Sequence, residues 1–207
     1  MDGDPLTPRR GRPRDPTVDA AIHRAVLDLL VEVGYADLTI EAVAKRAGVG
    51  HTSIYRRWPS KAHMVHEVVF PDQESGFVFA GLPFAEMVRR FTVAVVESLS
   101  RPEARAAIPG LMADWQADPE LRRRLMDRFE PATRAVLREA AAEAVARGEL
   151  RPEADADRVY DAILGAAVAS QWVGHGVLGE RLVDGLVDLV LHGVRKPVAT
   201  SGNHDST

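Results

Sequence analysis

The run LTIEAVAKRAGVGHTSIYRRWPSK, from Leu38 to Lys61, leaves its backbone few choices. Thr39 suits a helix N-cap, and Glu41 in the first turn puts an anion where the helix dipole favours one. Val43, Ala44 and Ala47 then form a narrow apolar stripe at helical spacing. Gly48 stops that helix, because glycine enters the left-handed region without a Cβ penalty. Val49 packs back as an apolar plug, and either His51 or Thr52 caps a second helix running through Arg57. In that second helix Ile54 and Trp58 face inward, which leaves Thr52, Ser53, Tyr55 and Arg56 outside. Two short helices crossed over a glycine turn, the second with a polar and cationic outer face, have a shape that the DNA major groove admits. Helix pairs of this kind also occur in folds that bind no DNA, so the setting of the pair matters.

Almost every long segment carries helical periodicity and none reads as a sheet, so the expected fold class is all-α. A first helix spans Pro16 to Val33, with Ile22, Ala25, Val26, Leu29, Leu30 and Val33 as its apolar stripe. Gly34 ends it and Tyr35 folds back onto its last turn. Pro59-Ser60 opens a fourth helix, Lys61 to Val69, in which Met64, Val65, Val68 and Val69 are apolar. Pro71 to Gly81 reads as a boundary, where Phe77 and Phe79 form either a short extended piece or lids. Beyond it the spacing predicts helices over 83–100, 103–117, 118–147, 157–175 and 180–194. Pro109-Gly110 is expected to kink or split the second of these, and Pro131 to break or bend the third. The expected organisation is a disordered basic arm over 1–14, a three-helix helix-turn-helix head over 15–70, a larger helical domain over 71–195, and a disordered tail over 196–207.

Charge separates the two halves. The net charge of −4 argues against a generic nucleic-acid binder, yet Arg9 to Lys61 hold ten Lys/Arg against six Asp/Glu. A small basic module followed by an acidic one suggests that only the first part meets a polyanion. The absence of cysteine excludes disulfides, thiolate catalysis and Cys-ligated zinc. No apolar h-region opens the chain, so a cytoplasmic location is expected. The uncharged run Ala162 to Gly179 just reaches membrane-spanning length. It contains Ser170, Gln171 and His175 between acidic flanks, which favours a buried core or interface helix.

With these residues in view, VGYADLTIEAVAKRAGV followed by SIYRRWPSK closely resembles the DNA-binding domain of TetR-family transcriptional regulators. GELRPEADADRVYDAILGAA is similar to the turn and penultimate helix of a TetR ligand-binding domain. The resemblance implies a homodimer whose two heads meet a pseudo-palindromic operator in double-stranded DNA. It implies a small-molecule effector in the larger domain, a dimer interface on the last two helices, and a repressor that ligand releases through the fourth helix. One departure is His51, where many members of the resembled subgroup carry lysine.

Family motif and local chemistry point to the same DNA-facing residues. Thr52, Ser53 and Arg56 can reach base edges, Tyr55 can donate to a phosphate, and Thr39 and Lys61 sit at helix N-termini suited to backbone contacts; His51 joins this group. Arg57 either contacts DNA or pairs with a nearby acid, while Trp58 completes the apolar core. In the arm RRGRPR, Arg10 and Arg12 resemble the minor-groove arginines of an AT-hook; the alternative is a solvated cationic tail. For the effector, Met87, Phe91, Leu111, Met112, Trp115, Phe129, Trp172 and His175 are the candidates for a largely apolar cavity, though each also suits an ordinary core. Gly165, Ala166, Ala169 and Ser170, with Val183, Leu186, Val187 and Val190, suggest the dimer face. No cofactor is called for. Two rivals remain: a metal-dependent enzyme, from His63, His66 and Glu67, and a helical interaction protein that does not bind DNA.

Overall fold

The computed structural model of the chain describes residues 16–71, 81–127, 130–172 and 179–195. The expected arm with Arg10 and Arg12, the expected tail, Phe129 and His175 lie outside these residues. Among the described residues ten helices follow in order: α1 (Pro16–Asp37), α2 (Ile40–Ala47), α3 (His51–Tyr55), α4 (Lys61–Val69), α5 (Phe84–Ser100), α6 (Pro102–Ala117), α7 (Pro119–Met126), α8 (Glu130–Ala146), α9 (Ala156–Trp172) and α10 (Glu180–Val194). Among the described residues the only extended pairing is an isolated antiparallel bridge between Leu150 and Arg195, so the all-α class holds. The chain folds as a small helical head, α1 to α4 with the helix-turn-helix in α2 and α3, followed by a larger helical part.

Several boundaries follow from single residues. Gly34 interrupts α1 in a non-helical conformation (φ 75°, ψ 176°), which swings Tyr35 into the core. Val33, expected on the apolar stripe, is instead 44% exposed, because the break hands its place to Tyr35. Pro109 does not split its helix: α6 continues through it from Pro102 to Ala117. Both Pro109 and Arg105, whose carbonyl loses its partner there, are exposed, so water can satisfy that group. Pro131 falls in the first turn of α8, where a missing N–H costs nothing, and the expected long helix is broken into α7 and α8. Asp118 caps α7 by accepting from the amides of Glu120 and Leu121, both at 3.0 Å.

The head and the larger part share one continuous core. α1 packs on α2 and α6, and α4 on α6, so α6 carries the head. In the larger part α5 packs on α9 and α10, and α8 on α9. Arg134 joins α8 to α9 by bonding Glu130, Asp157 and Asp161 while its guanidinium lies 4.0 Å above the Tyr160 ring. Among the described residues no helix is long and apolar enough to cross a membrane. α9 buries the stripe Val159, Tyr160, Ile163, Ala167 and Gln171, which is the core reading of the uncharged run as far as Trp172.

Candidate nucleic-acid interface and effector domain

The helix-turn-helix is built by short-range contacts. Thr39 Oγ1 accepts from the Ala42 amide at 3.1 Å, which starts α2. Gly48 ends it in the left-handed region (φ 68°, ψ 31°), and the Val49 amide bonds back to the Ala44 carbonyl at 3.0 Å. α3 differs from expectation at both ends. Gly50, not His51 or Thr52, occupies the N-cap without a side-chain bond, and the helix ends at Tyr55 rather than Arg57. The regular pattern lapses at Arg57, whose amide bonds the Ile54 carbonyl while the Ser53 carbonyl accepts from Arg57 Nη1 instead. Arg57 and Trp58 still donate their amides to the Ile54 carbonyl, both at 2.9 Å, so the turn is closed.

Ile54 and Trp58 are buried and anchor α3 from one side. His51, Thr52 and Arg56 are exposed, Tyr55 is 52% exposed, and Ser53 is half-buried. These residues share one outward surface. Arg57 does not join them. Its Nε stands 2.5 Å from Asp19 Oδ1, an ion pair whose N–H is not aligned for a hydrogen bond, and its Nη1 donates to the Ser53 carbonyl at 2.8 Å. The alternatives left open for Arg57 thus resolve to pairing with an acid of α1. Arg46 is likewise held on α1, bonding both oxygens of Glu32 at 2.5 and 2.7 Å.

Lys61 has a different setting from the other DNA-facing candidates. Its ammonium donates to the carbonyls of Tyr35 (3.0 Å) and Ala36 (3.4 Å) and lies 4.3 Å above the Tyr35 ring. The Tyr35 hydroxyl donates to Asp114 Oδ2 on α6, and burial with that neighbouring carboxylate pushes the phenol far above its ordinary range. Gly110 lies beneath this ring: a Cβ built there would sit 2.1 Å from Tyr35 Cδ1. Arg101 closes the same seam by donating from Nη2 to the Val69 carbonyl. The junction Tyr35–Lys61–Gly110–Asp114 escapes sequence reasoning, and Pro109-Gly110 offers the one signal, a glycine needed for close approach and not for a kink.

His63 and His66 point to different neighbours. His63 Nδ1 is 2.9 Å from Ser60 Oγ, and burial, with Arg124 nearby, holds its imidazole below the ordinary histidine range. His66 is buried between Phe70 and Trp115, at ring separations of 5.5 and 6.1 Å, so it occupies the face between head and larger part. Among the described residues no group of three His, Asp or Glu comes together as metal ligands would. A cleft of about 410 Å³ opens beside these residues, lined by Ser60, His63, Asp118, Leu121 and Arg124.

The effector candidates divide. Met87, Phe91 and Leu111 are buried, and Phe91 stacks on Tyr160 with centroids 5.1 Å apart. Trp115 and Trp172 are half-buried, Trp115 turned toward the head through His66. Met112 is 40% exposed on the outer side of α6, so it does not line an interior cavity of this protomer. The suggested dimer residues divide as well. Val183, Leu186, Val187 and Val190 are buried within the protomer, because α5 and α9 already cover that side of α10. The outward side of α10 carries Gly185, Leu189 and Gly193, and that of α9 carries Ala162, Gly165 and Ala169.

Comparison with known proteins agrees with this architecture. Residues 22–68 match the family described as bacterial regulatory proteins, tetR family, and residues 85–190 match the tetracyclin repressor-like C-terminal domain. The uncharacterized HTH-type transcriptional regulator YdeS of Bacillus subtilis is 28% identical over 93% of this chain and 96% of its own length. The DNA-binding transcriptional repressor TetR of Mycobacteroides abscessus is 27% identical over 90% of this chain and 98% of its own. The structure of the transcriptional regulator FadR from Bacillus subtilis in complex with stearoyl-CoA superposes with a TM-score of 0.63 at 15% identity, covering 86% of this chain and 100% of that one. The chain belongs to the TetR family of DNA-binding transcriptional regulators.

Proposed function

We propose that this regulator is a dimeric repressor that reads a pseudo-palindromic operator through α3 and leaves it when a small, largely apolar effector enters the larger domain. The observation that carries the reading is the outer face of α3. Thr52, Tyr55 and Arg56 project from a helix whose other side is pinned by Ile54 and Trp58, so they are presented on a rigid support. Arg56 suits a bidentate contact to guanine and Tyr55 a phosphate contact, with His51, Thr52 and Ser53 completing the surface. Thr39 stands exposed at the start of α2 beside the same surface. Lys61 serves the head–core junction first, and its remaining N–H is available to a phosphate. The related repressor of Mycobacteroides abscessus supports the direction of control. The stearoyl-CoA complex of a protein with this fold supports an apolar effector.

Dimerisation would use the outward sides of α9 and α10. Leu189 is 69% exposed between Gly185 and Gly193, one turn before and after it, and small residues on α9 allow a partner to approach closely. Replacing Leu189 by arginine is expected to shift the protein from dimer to monomer in sedimentation, with its helix content unchanged. An unaltered dimer would move the interface elsewhere. The decisive test of the function is selection of bound DNA from a random pool, repeated with candidate effectors. Two half-sites related by a dyad and released by an apolar compound are expected; an asymmetric or non-recurring sequence would overturn the reading.

A further inference from the structure

Gln171 ends the inward stripe of α9, three to four residues apart from Ala167 and in line with Tyr160 and Ile163, so its side chain points into the larger domain. It is only 8% exposed, and among the described residues neither Nε2 nor Oε1 finds a hydrogen-bond partner. Both omissions are costly in an interior. Packing alone does not call for an amide here, because methionine has nearly the same length and volume without those costs. A ligand that pairs this amide would offset the cost it imposes on the empty protein.

The surroundings limit what it binds. Among the described residues the buried polar side chains are His66, Thr92, Thr133 and Gln171, so no buried Lys, Arg, Asp or Glu stands ready to neutralise an ionic ligand. Ile163 and Ala167, on the stripe that leads to Gln171, are fully buried, and α5 and α10 pack against α9, so that stripe is apolar. A carboxylate would accept from Nε2 and leave Oε1 unpaired, and an ammonium would do the reverse. A neutral group with a donor beside an acceptor satisfies both ends at once. We infer that Gln171 is a specificity-determining residue for an uncharged effector that carries an apolar body and one amide-like group, such as a primary amide, a lactam or a protonated acid. This rests on the ligand-operated reading above.

Two measurements on the full chain test it. In the absence of ligand, Gln171→Met and Gln171→Leu are expected to raise Tm by about 2–4 °C, since an unpaired buried group is removed. Tryptophan fluorescence then follows titration with medium-chain n-alkyl primary amides and with their N,N-dimethyl counterparts, which lack the donor. The wild type is expected to favour the primary amides about 10-fold, and Gln171→Met to abolish that preference while binding the dimethyl series unchanged. A Tm that stays level or falls, a wild type without preference for primary amides, or a preference that survives in the variant would each overturn the inference. Failure of the ligand-operated reading looks different: the preference is present as expected, yet neither series lowers affinity for the selected operator.

Discussion

Alanine at Tyr55 and at Arg56 is expected to abolish operator binding while leaving the fold intact. Loss of a bidentate arginine contact removes about 1–3 kcal/mol of discrimination. A symmetric dimer loses it at both half-sites, about 2–6 kcal/mol in all, or roughly 30-fold to 10⁴-fold in affinity. Because Tyr55 is 52% exposed and Arg56 is exposed, stability should change by no more than surface substitutions usually allow, about 0.5 kcal/mol. Arg57→Ala provides the contrast. It breaks the partly buried contact to Asp19 and the bond to the Ser53 carbonyl, so it should lower head stability first and DNA affinity as a consequence. Electrophoretic mobility shift and thermal melting on the same three variants separate the two effects. Retained binding by both Tyr55→Ala and Arg56→Ala would remove α3 as the reading surface.

Gly110→Ala is the substitution with the largest expected effect on stability, and its sign opposes the usual rule. Within a helix, glycine to alanine ordinarily stabilises by about 0.5–1 kcal/mol. Here the new Cβ would lie 2.1, 2.6 and 2.9 Å from three atoms of the Tyr35 ring. The ring has little freedom to retreat, because it is buried, its hydroxyl is bound to Asp114, and the Lys61 ammonium lies over it. Overpacking of this kind costs about 1–3 kcal/mol and is expected to lower Tm by about 2–10 °C. The Gly110→Ala, Tyr35→Leu double variant should lose much less than the sum of the two single changes, since one removes the clash that the other creates. Additive losses would show that the two residues do not meet. The same junction joins α1 and α4 of the head to α6 of the larger domain, so Gly110→Ala should also change the concentration of effector that releases DNA.

How far each feature could be read in advance depended on how far apart its partners lie along the chain. The Thr39 cap, the Gly48 turn and the inward pair Ile54 and Trp58 are settled within four or five residues, and they stand as the sequence reading placed them. Even there the short-range reading of α3 overran, since the Ser53 carbonyl accepts from the Arg57 side chain rather than from its amide. The four apolar residues of α10 suggested for a dimer face are covered within the protomer for a different reason. Periodicity marks an apolar face on α10 but does not name the helix that covers it, and α5 and α9 cover it from within the protomer.

The sequence by itself determined the helical class, the position of the helix-turn-helix, its outward residues and its family, because caps, turns and amphipathic stripes act over one or two turns of chain. Only the tertiary structure decided which charges remain outward and which are tied down. Arg57 found Asp19, Arg46 found Glu32, and Lys61 found the Tyr35 carbonyl. It also decided that Gly110 exists for the Tyr35 ring, and that Tyr35 meets Asp114 across 79 residues of chain. Such contacts depend on how each helix is rotated against neighbours distant in sequence, and that rotation is set by the packing of the whole core.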